Sequence, residues 1–258
     1  MKRKNKIKVI YSGDYDFASS TFLKGFSSYT SGYFVDASNY LRKALESDPN
    51  ITVKYISTPD ANVYFPKTVE ELKEYDVVIL SDVPADTLLL LPGRYPPYKV
   101  PLGPNRLKSI ETYVKEGGGL IMIGGWGAFT GLHGIAKYYD TPIEMTLPVN
   151  LLKYDDRVEV PEGFTPRIIN GKHPIMVNIP WEKANFMLLG YNKTKIKKGA
   201  TLLAEYNGDP ILAAWDYYDG RSLAFTSDCA PHWGGNFIDW EYYTQFWIQA
   251  VKWIAKYC

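Results

Sequence analysis

Tyr113-Val-Lys-Glu-Gly-Gly-Gly-Leu-Ile-Met-Ile-Gly-Gly-Trp-Gly127 (YVKEGGGLIMIGGWG) decides the fold. Its first residues close the amphipathic stretch Arg106–Lys115 (RLKSIETYVK), which predicts a helix ended by Gly117–Gly119. Leu120–Ile123 (LIMI) is apolar without alternation, as expected of a strand buried on both faces. Gly124-Gly125-Trp126-Gly127 then opens a tight turn, because glycine accepts backbone angles that other residues avoid. Helix, glycine break, buried strand and glycine turn make the repeating unit of a parallel α/β sheet.

The same unit recurs upstream. Lys6–Ser12 (KIKVIYS) is a short apolar strand bounded by Gly13. Asp36–Glu46 predicts a helix capped at Asp36 or Ser38, with Tyr40, Leu41, Ala44 and Leu45 on one face and Pro49 as its stop. Thr52–Ile56 is a second strand, Val69–Lys73 a short helix and Asp76–Ser81 a third strand. Downstream the pattern changes. Asn207-Gly208-Asp209-Pro210 and Asp219-Gly220 are hairpin turns joining strands at Thr201–Tyr206, Ile211–Tyr217 and Ser222–Thr226, so the sheet ends in an antiparallel portion. Glu241–Lys256 predicts a last helix with an apolar stripe of Tyr243, Phe246, Trp247, Ala250, Val251 and Ile254. The Pro- and Gly-rich stretch from Leu88 to Gly103 reads as a long loop laid over the domain.

Composition narrows the function. A net charge of +1 over 258 residues gives none of the basic footprint of a nucleic-acid binder. No apolar run approaches the roughly 18 residues of a membrane span, and Ile7–Tyr11 is too short for a signal-peptide core, so a cytoplasmic location is expected. Two cysteines, Cys229 and Cys258, make no disulfide framework. Three histidines scattered along the chain show no metal-ligand spacing, and no metal or cofactor is expected. The aromatic content of 15%, with 21 Tyr and 7 Trp, suits cores, small-ligand pockets and partner surfaces alike.

Open α/β sheets bind ligands beyond the carboxyl ends of their strands. Asp14, Asp82, the turn at Gly125 and Trp126, and Ser227-Asp228-Cys229-Ala230-Pro231-His232-Trp233 all follow predicted strands and belong on one rim. His133, shortly after the glycine turn, could face the same rim, whereas His173 reads as a turn residue. Each aspartate taken alone serves equally well as a turn or helix cap; their shared location is the signal. Cys229 and His232 are close enough in sequence for a thiolate–imidazole pair, with Asp228 beside them as a third catalytic candidate. Against that pairing, cysteine is also a common core side chain, and Pro231 could hold the two apart.

The sequence also resembles a known group. Residues 113–127 are similar to the helix, strand and nucleophile turn of the class I glutamine amidotransferase-like superfamily. Gly171-Lys-His-Pro-Ile175 and Gly220-Arg-Ser-Leu-Ala-Phe-Thr-Ser-Asp228 resemble its trehalose-utilisation (ThuA-like) branch. Ser227-Asp-Cys-Ala-Pro-His-Trp-Gly234 resembles the branch named only for its likeness to glutamine amidotransferases. The resemblance implies a flavodoxin-like or Rossmann-like three-layer sandwich, mostly parallel with an antiparallel C-terminal portion, as one domain over residues 1–258. In active members the turn reads Gly-x-Cys-x-Gly, backbone N–H groups hold the oxyanion, and a later His–Glu pair activates the thiol. Matching that pattern to Gly124–Ala128 puts Trp126 at the nucleophile position, and the late His-Pro-Glu is missing.

Glutamine hydrolysis by the family route is therefore not expected. Two functions fit. One is a binding protein for a small polar, carbohydrate-related ligand held by Asp14, Asp82, Gly125, Trp126, His133 and Trp233. The other is a hydrolase or transferase of another class using Cys229, His232 and Asp228. A homodimer is also expected, from Tyr95 and Tyr98 within Pro92–Pro101 and from the cluster Trp233, Trp240 and Tyr242.

Overall fold

Strand β1 (Ile7–Gly13) frames the molecule. Successive side chains of a strand point to opposite faces, so Ile7, Val9 and Tyr11 enter one buried cluster and Ile10 enters another. The computed structural model describes residues 6–90 and 103–257. After β1 come the hairpin β2 (Tyr15–Lys24) and β3 (Ser27–Asp36), then α1 (Asn39–Glu46), β4 (Ile51–Ile56), α2 (Thr58–Tyr64), α3 (Val69–Leu72) and β5 (Val77–Ser81). α4 (Ala85–Leu89), α5 (Arg106–Lys115), β6 (Gly119–Ile123), α6 (Pro142–Thr146) and β7 (Val149–Asn150) follow. β8 (Arg157–Phe164), β9 (Arg167–Ile168), β10 (Leu188–Asn192) and β11 (Lys195–Ile196) precede β12 (Thr201–Tyr206), β13 (Asp209–Tyr217), β14 (Gly220–Phe225) and α7 (Tyr243–Ile254).

Eight strands form one sheet in the order β4-β1-β5-β6-β14-β13-β12-β9. The first five run parallel, and β13, β12 and β9 continue antiparallel. This is the flavodoxin-like α/β arrangement, with α1 and α7 on one face and α2, α3 and α5 on the other. α5 starts where Asn105 accepts the Leu107 and Lys108 N–H groups, satisfying donors that have no partner inside the helix. α3 is held by a capping box between Thr68 and Glu71. α7 buries Phe246, Trp247, Ala250, Val251 and Ile254, and Trp247 meets Phe225 of the central sheet edge-on at 5.5 Å. Burying a side chain of the size of Phe246, Val251 or Ile254 stabilises the fold by about 1.5–3 kcal/mol.

Of the two caps offered for α1 the structure uses Ser38: the helix begins at Asn39, and Asp36 ends β3, where its carboxylate accepts the Ser38 N–H at 3.1 Å. Elsewhere the structure departs from the sequence expectation. The β2–β3 hairpin is a projecting arm with no counterpart in the sequence reading, and β8 pairs with β10 outside the main sheet. Leu88 and Leu89, expected in the long loop, belong to α4; residues 91–102, including Tyr95 and Tyr98, lie outside the described residues, as does Cys258. Among the described residues no helix is long and apolar enough to cross a membrane.

Candidate functional site

β1 and β5 are neighbours whose chain connections leave the sheet in different directions, and such a switch point opens a crevice at the strand ends. Only glycine fits the last position of β1, since a Cβ on Gly13 would sit 1.5 Å from the Ser81 carbonyl oxygen. That close approach sets Asp14 beside the end of β5. Asp14 donates its N–H to the Ser81 carbonyl at 3.2 Å, and its own carbonyl accepts from Ala37 and Ser38, fixing the root of the arm. Asp14 and Asp82 both take a left-handed backbone with φ 51°, and His232 takes φ 91°. Strained backbone of this kind clusters at functional sites.

A cleft of about 240 Å³ lies over these strand ends, lined by Asp14, Asp16, Val35, Asp82, Trp126, Asp228 and His232 among others. It unites Asp14, Asp82, Trp126, Asp228 and His232 from four different connections. Among the described residues none of the three aspartates Asp14, Asp82 and Asp228 makes an ion pair. Burial, reinforced for Asp82 and Asp228 by the neighbouring aspartates, lifts all three carboxyls. Asp14 rises to about 6, Asp82 to about 7, and Asp228 goes well above the usual carboxylate range. Asp14 accepts from Ser81 Oγ at 3.0 Å and from the Tyr11 hydroxyl, and Asp228 accepts the Ala230 N–H at 2.9 Å.

Cys229 does not face the cleft. It is fully buried beneath it, with Sγ 3.7 Å from Asp14 Oδ2 and 3.8 Å from Ser81 Oγ, and burial pushes its thiol far above the ordinary range. His232 turns the other way, edge-on to Trp126 at 5.1 Å and stacked on Trp233 at 5.5 Å, and partial burial lowers its pKa. Trp233 is fully buried; its ring closely covers Gly190 and its Nε1 donates to Glu159 at 2.8 Å, so it supports the rim instead of lining the cleft. The His133 side chain is largely exposed beside Asp155, away from the cleft lining.

The glycine turn is held by residues that the sequence did not single out. Asn192 Oδ1 accepts the Gly125 N–H at 3.0 Å, and its Nδ2 donates to the Gly125 carbonyl and to Asp156. Asp156 in turn accepts the Thr130 and Gly131 N–H groups, both at 2.9 Å. Asp82 accepts the Gly127 N–H. Gly125 carries the positive φ of 151°, and a Cβ there would meet Asp82 Oδ1 at 2.6 Å. Trp126 stands 42% exposed at the rim, its Nε1 3.3 Å from Glu159 and the Arg157 guanidinium 5.4 Å from its ring. Two N–H groups of this turn are thus already taken by side-chain oxygens. Among the described residues no group of three His, Cys, Asp or Glu side chains is arranged to hold a metal ion.

Comparison with known proteins agrees with this fold. The family model described as "Putative glutamine amidotransferase" matches residues 8–256. A cytoplasmic protein of Salmonella typhimurium is 34% identical with a TM-score of 0.89, covering 96% of this chain and 99% of its own. A second, from Salmonella typhimurium LT2, is 37% identical with the same TM-score and the same coverage of both chains. A ThuA-like protein of Parabacteroides merdae shares the fold at 11% identity, TM-score 0.54, over 97% of this chain and 90% of its own. No curated protein matches the chain. With nearly its whole length matched and two relatives above 30% identity, the chain belongs to the glutamine amidotransferase-like family.

Proposed function

We propose that this protein is a single-domain, cytoplasmic glutamine amidotransferase-like protein without glutaminase activity, binding a small polar ligand in the cleft at the strand ends. The observation that carries the reading is three carboxyls, the buried Asp14 and Asp228 and the half-buried Asp82, sharing one small cleft with the exposed indole of Trp126. Carboxyls raised to about 6 and 7 hold protons for part of the time near neutral pH. A protonated carboxyl donates one hydrogen bond and still accepts others. Sugar hydroxyls present the same mixture, and an indole packs on the apolar face of such a ring. A cleft of about 240 Å³ is smaller than the ~300–1,000 Å³ of drug-sized sites and fits a ligand of that scale.

Glutaminase chemistry lacks its parts here. Trp126 stands at the nucleophile position, and the Gly125 and Gly127 N–H groups are committed to Asn192 and Asp82. The second reading is acid–base catalysis by Asp228 and His232, favoured by their both lining the cleft. A nucleophilic Cys229 does not fit that reading, because its sulfur is covered and protonated. Calorimetric titration with neutral monosaccharides, amino sugars, nucleosides and L-glutamine tests the proposal, with ammonia release from glutamine measured alongside. Binding of a ring-bearing compound that Asp228→Asn weakens, without ammonia, is expected. Ammonia release lost on changing Cys229 or His232 overturns it.

A further inference from the structure

We propose that the β2–β3 arm is an assembly element that pairs with the arm of a second copy of the chain. The arm is two ten-residue strands in unbroken register from Tyr15 opposite Asp36 to Lys24 opposite Ser27, about 34 Å long. It forms a two-stranded sheet of its own, so among the described residues neither outer edge pairs with a further strand. Natural edges of this length are blunted by charges, proline or bulges. Here there is no bulge and no proline, and Lys24 is the one charge between Asp16 and Asp36.

Both faces of the arm are apolar as well. Phe17 and Phe34 pack at 5.3 Å on one face, and Phe22 stacks on Tyr29 at 5.1 Å on the other, near Tyr33 and Val35. Phe17, Phe22, Phe26, Tyr29, Tyr33 and Phe34 are between 44% and 113% exposed. At about 200 Å² per ring that leaves on the order of 800 Å² of aromatic surface open to water. That surface is divided between the two faces, and a standard stable interface buries ~800 Å² per partner, so pairing draws on an edge as well as a face. A lone hairpin is marginal in water, and among the described residues neither buried core includes any residue of this one.

A second copy is the occupant because a hairpin edge complements itself across a two-fold axis, giving a four-stranded antiparallel sheet in which the aromatic faces of the two arms become continuous. The nearly uncharged arm meets no like-charge repulsion in doing so. Asp16 and Val35, at the root, line the cleft, so pairing would also fix one wall of the site.

Light scattering across a concentration series tests this. The wild-type chain should rise from 29.3 kDa towards twice that mass. Phe22→Ser combined with Tyr29→Ser should weaken the dimer at least tenfold with unchanged circular dichroism. Phe26→Lys at the tip, a milder change, should weaken it in the same direction. A mass fixed at one chain overturns the proposal, as does a dimer of wild-type strength in both variants. Capture of a monomer by phosphatidylcholine vesicles would also overturn it, by assigning the arm to a lipid surface.

Discussion

Replacing Asp82 by asparagine should make the protein more stable, and increasingly so as the pH rises. The Asp82 carboxyl titrates at about 7 in the folded protein against 3.8 for an ordinary aspartate. A raised carboxyl pKa means that the folded state holds its proton more tightly than the unfolded chain does. The contribution is therefore complete below pH 3.8, is lost as pH rises towards 7, and is constant above that. About three pH units at ~1.4 kcal/mol each give a total loss of about 4 kcal/mol, of which about 2–3 kcal/mol falls between pH 5 and pH 8. Asparagine keeps an oxygen to accept the Gly127 N–H but has no charge to desolvate. Urea unfolding of both proteins at pH 5 and pH 8 should show the advantage of Asp82→Asn growing by that amount. For a chain of this size it corresponds to a gap in Tm that widens by roughly 4–12 °C. Parallel pH profiles for the two proteins would refute the reasoning and mean that Asp82 is ionised at little cost.

Two further outcomes follow from the same geometry. In a Cys258→Ser background, iodoacetamide should modify Cys229 at least on the order of a hundredfold more slowly in the native protein than in urea, because a covered, protonated thiol does not react; comparable rates would restore Cys229 as a nucleophile. Gly125→Ala should cost about 1–3 kcal/mol in urea unfolding, since its Cβ meets Asp82 Oδ1 at 2.6 Å at a positive φ; a neutral change would show that the turn relaxes freely.

The parallel half of the sheet was legible because its signals are local. Residues 113–127 announce a helix, a buried strand and a turn within one short window, and β6 lies where they place it. The location of the cleft was legible for a related reason: strand ends converge wherever the sheet is parallel, so Asp14, Asp82 and Asp228 had to approach one another. What the sequence hid depends on contacts distant along the chain. Asn192 clamps Gly125 across 67 residues, and nothing near Tyr191-Asn192 signals it. Cys229 and His232 looked paired by spacing, yet the thiol packs beneath the cleft against Asp14 while the imidazole lies at its rim against Trp126. The arm was missed because apolar residues on both of its faces, separated by Ser, Thr and Gly, produce neither a helical nor an alternating period.

The cleft beneath Trp126 is the central claim, and a thermal-shift comparison of wild type with Trp126→Ala tests it most directly. The panel is neutral monosaccharides, amino sugars, nucleosides and L-glutamine, each at millimolar concentration. Trp126 is exposed at the rim, so its removal should leave unliganded stability nearly unchanged. A compound present at ~100 times its Kd stabilises the native state by about 2.7 kcal/mol, roughly 5–11 °C for a chain of this length. At least one ring-bearing member should raise the Tm of the wild type by several degrees and that of Trp126→Ala by much less. Equal shifts in the two proteins, or no shift with any compound, would contradict a ligand site beneath this indole.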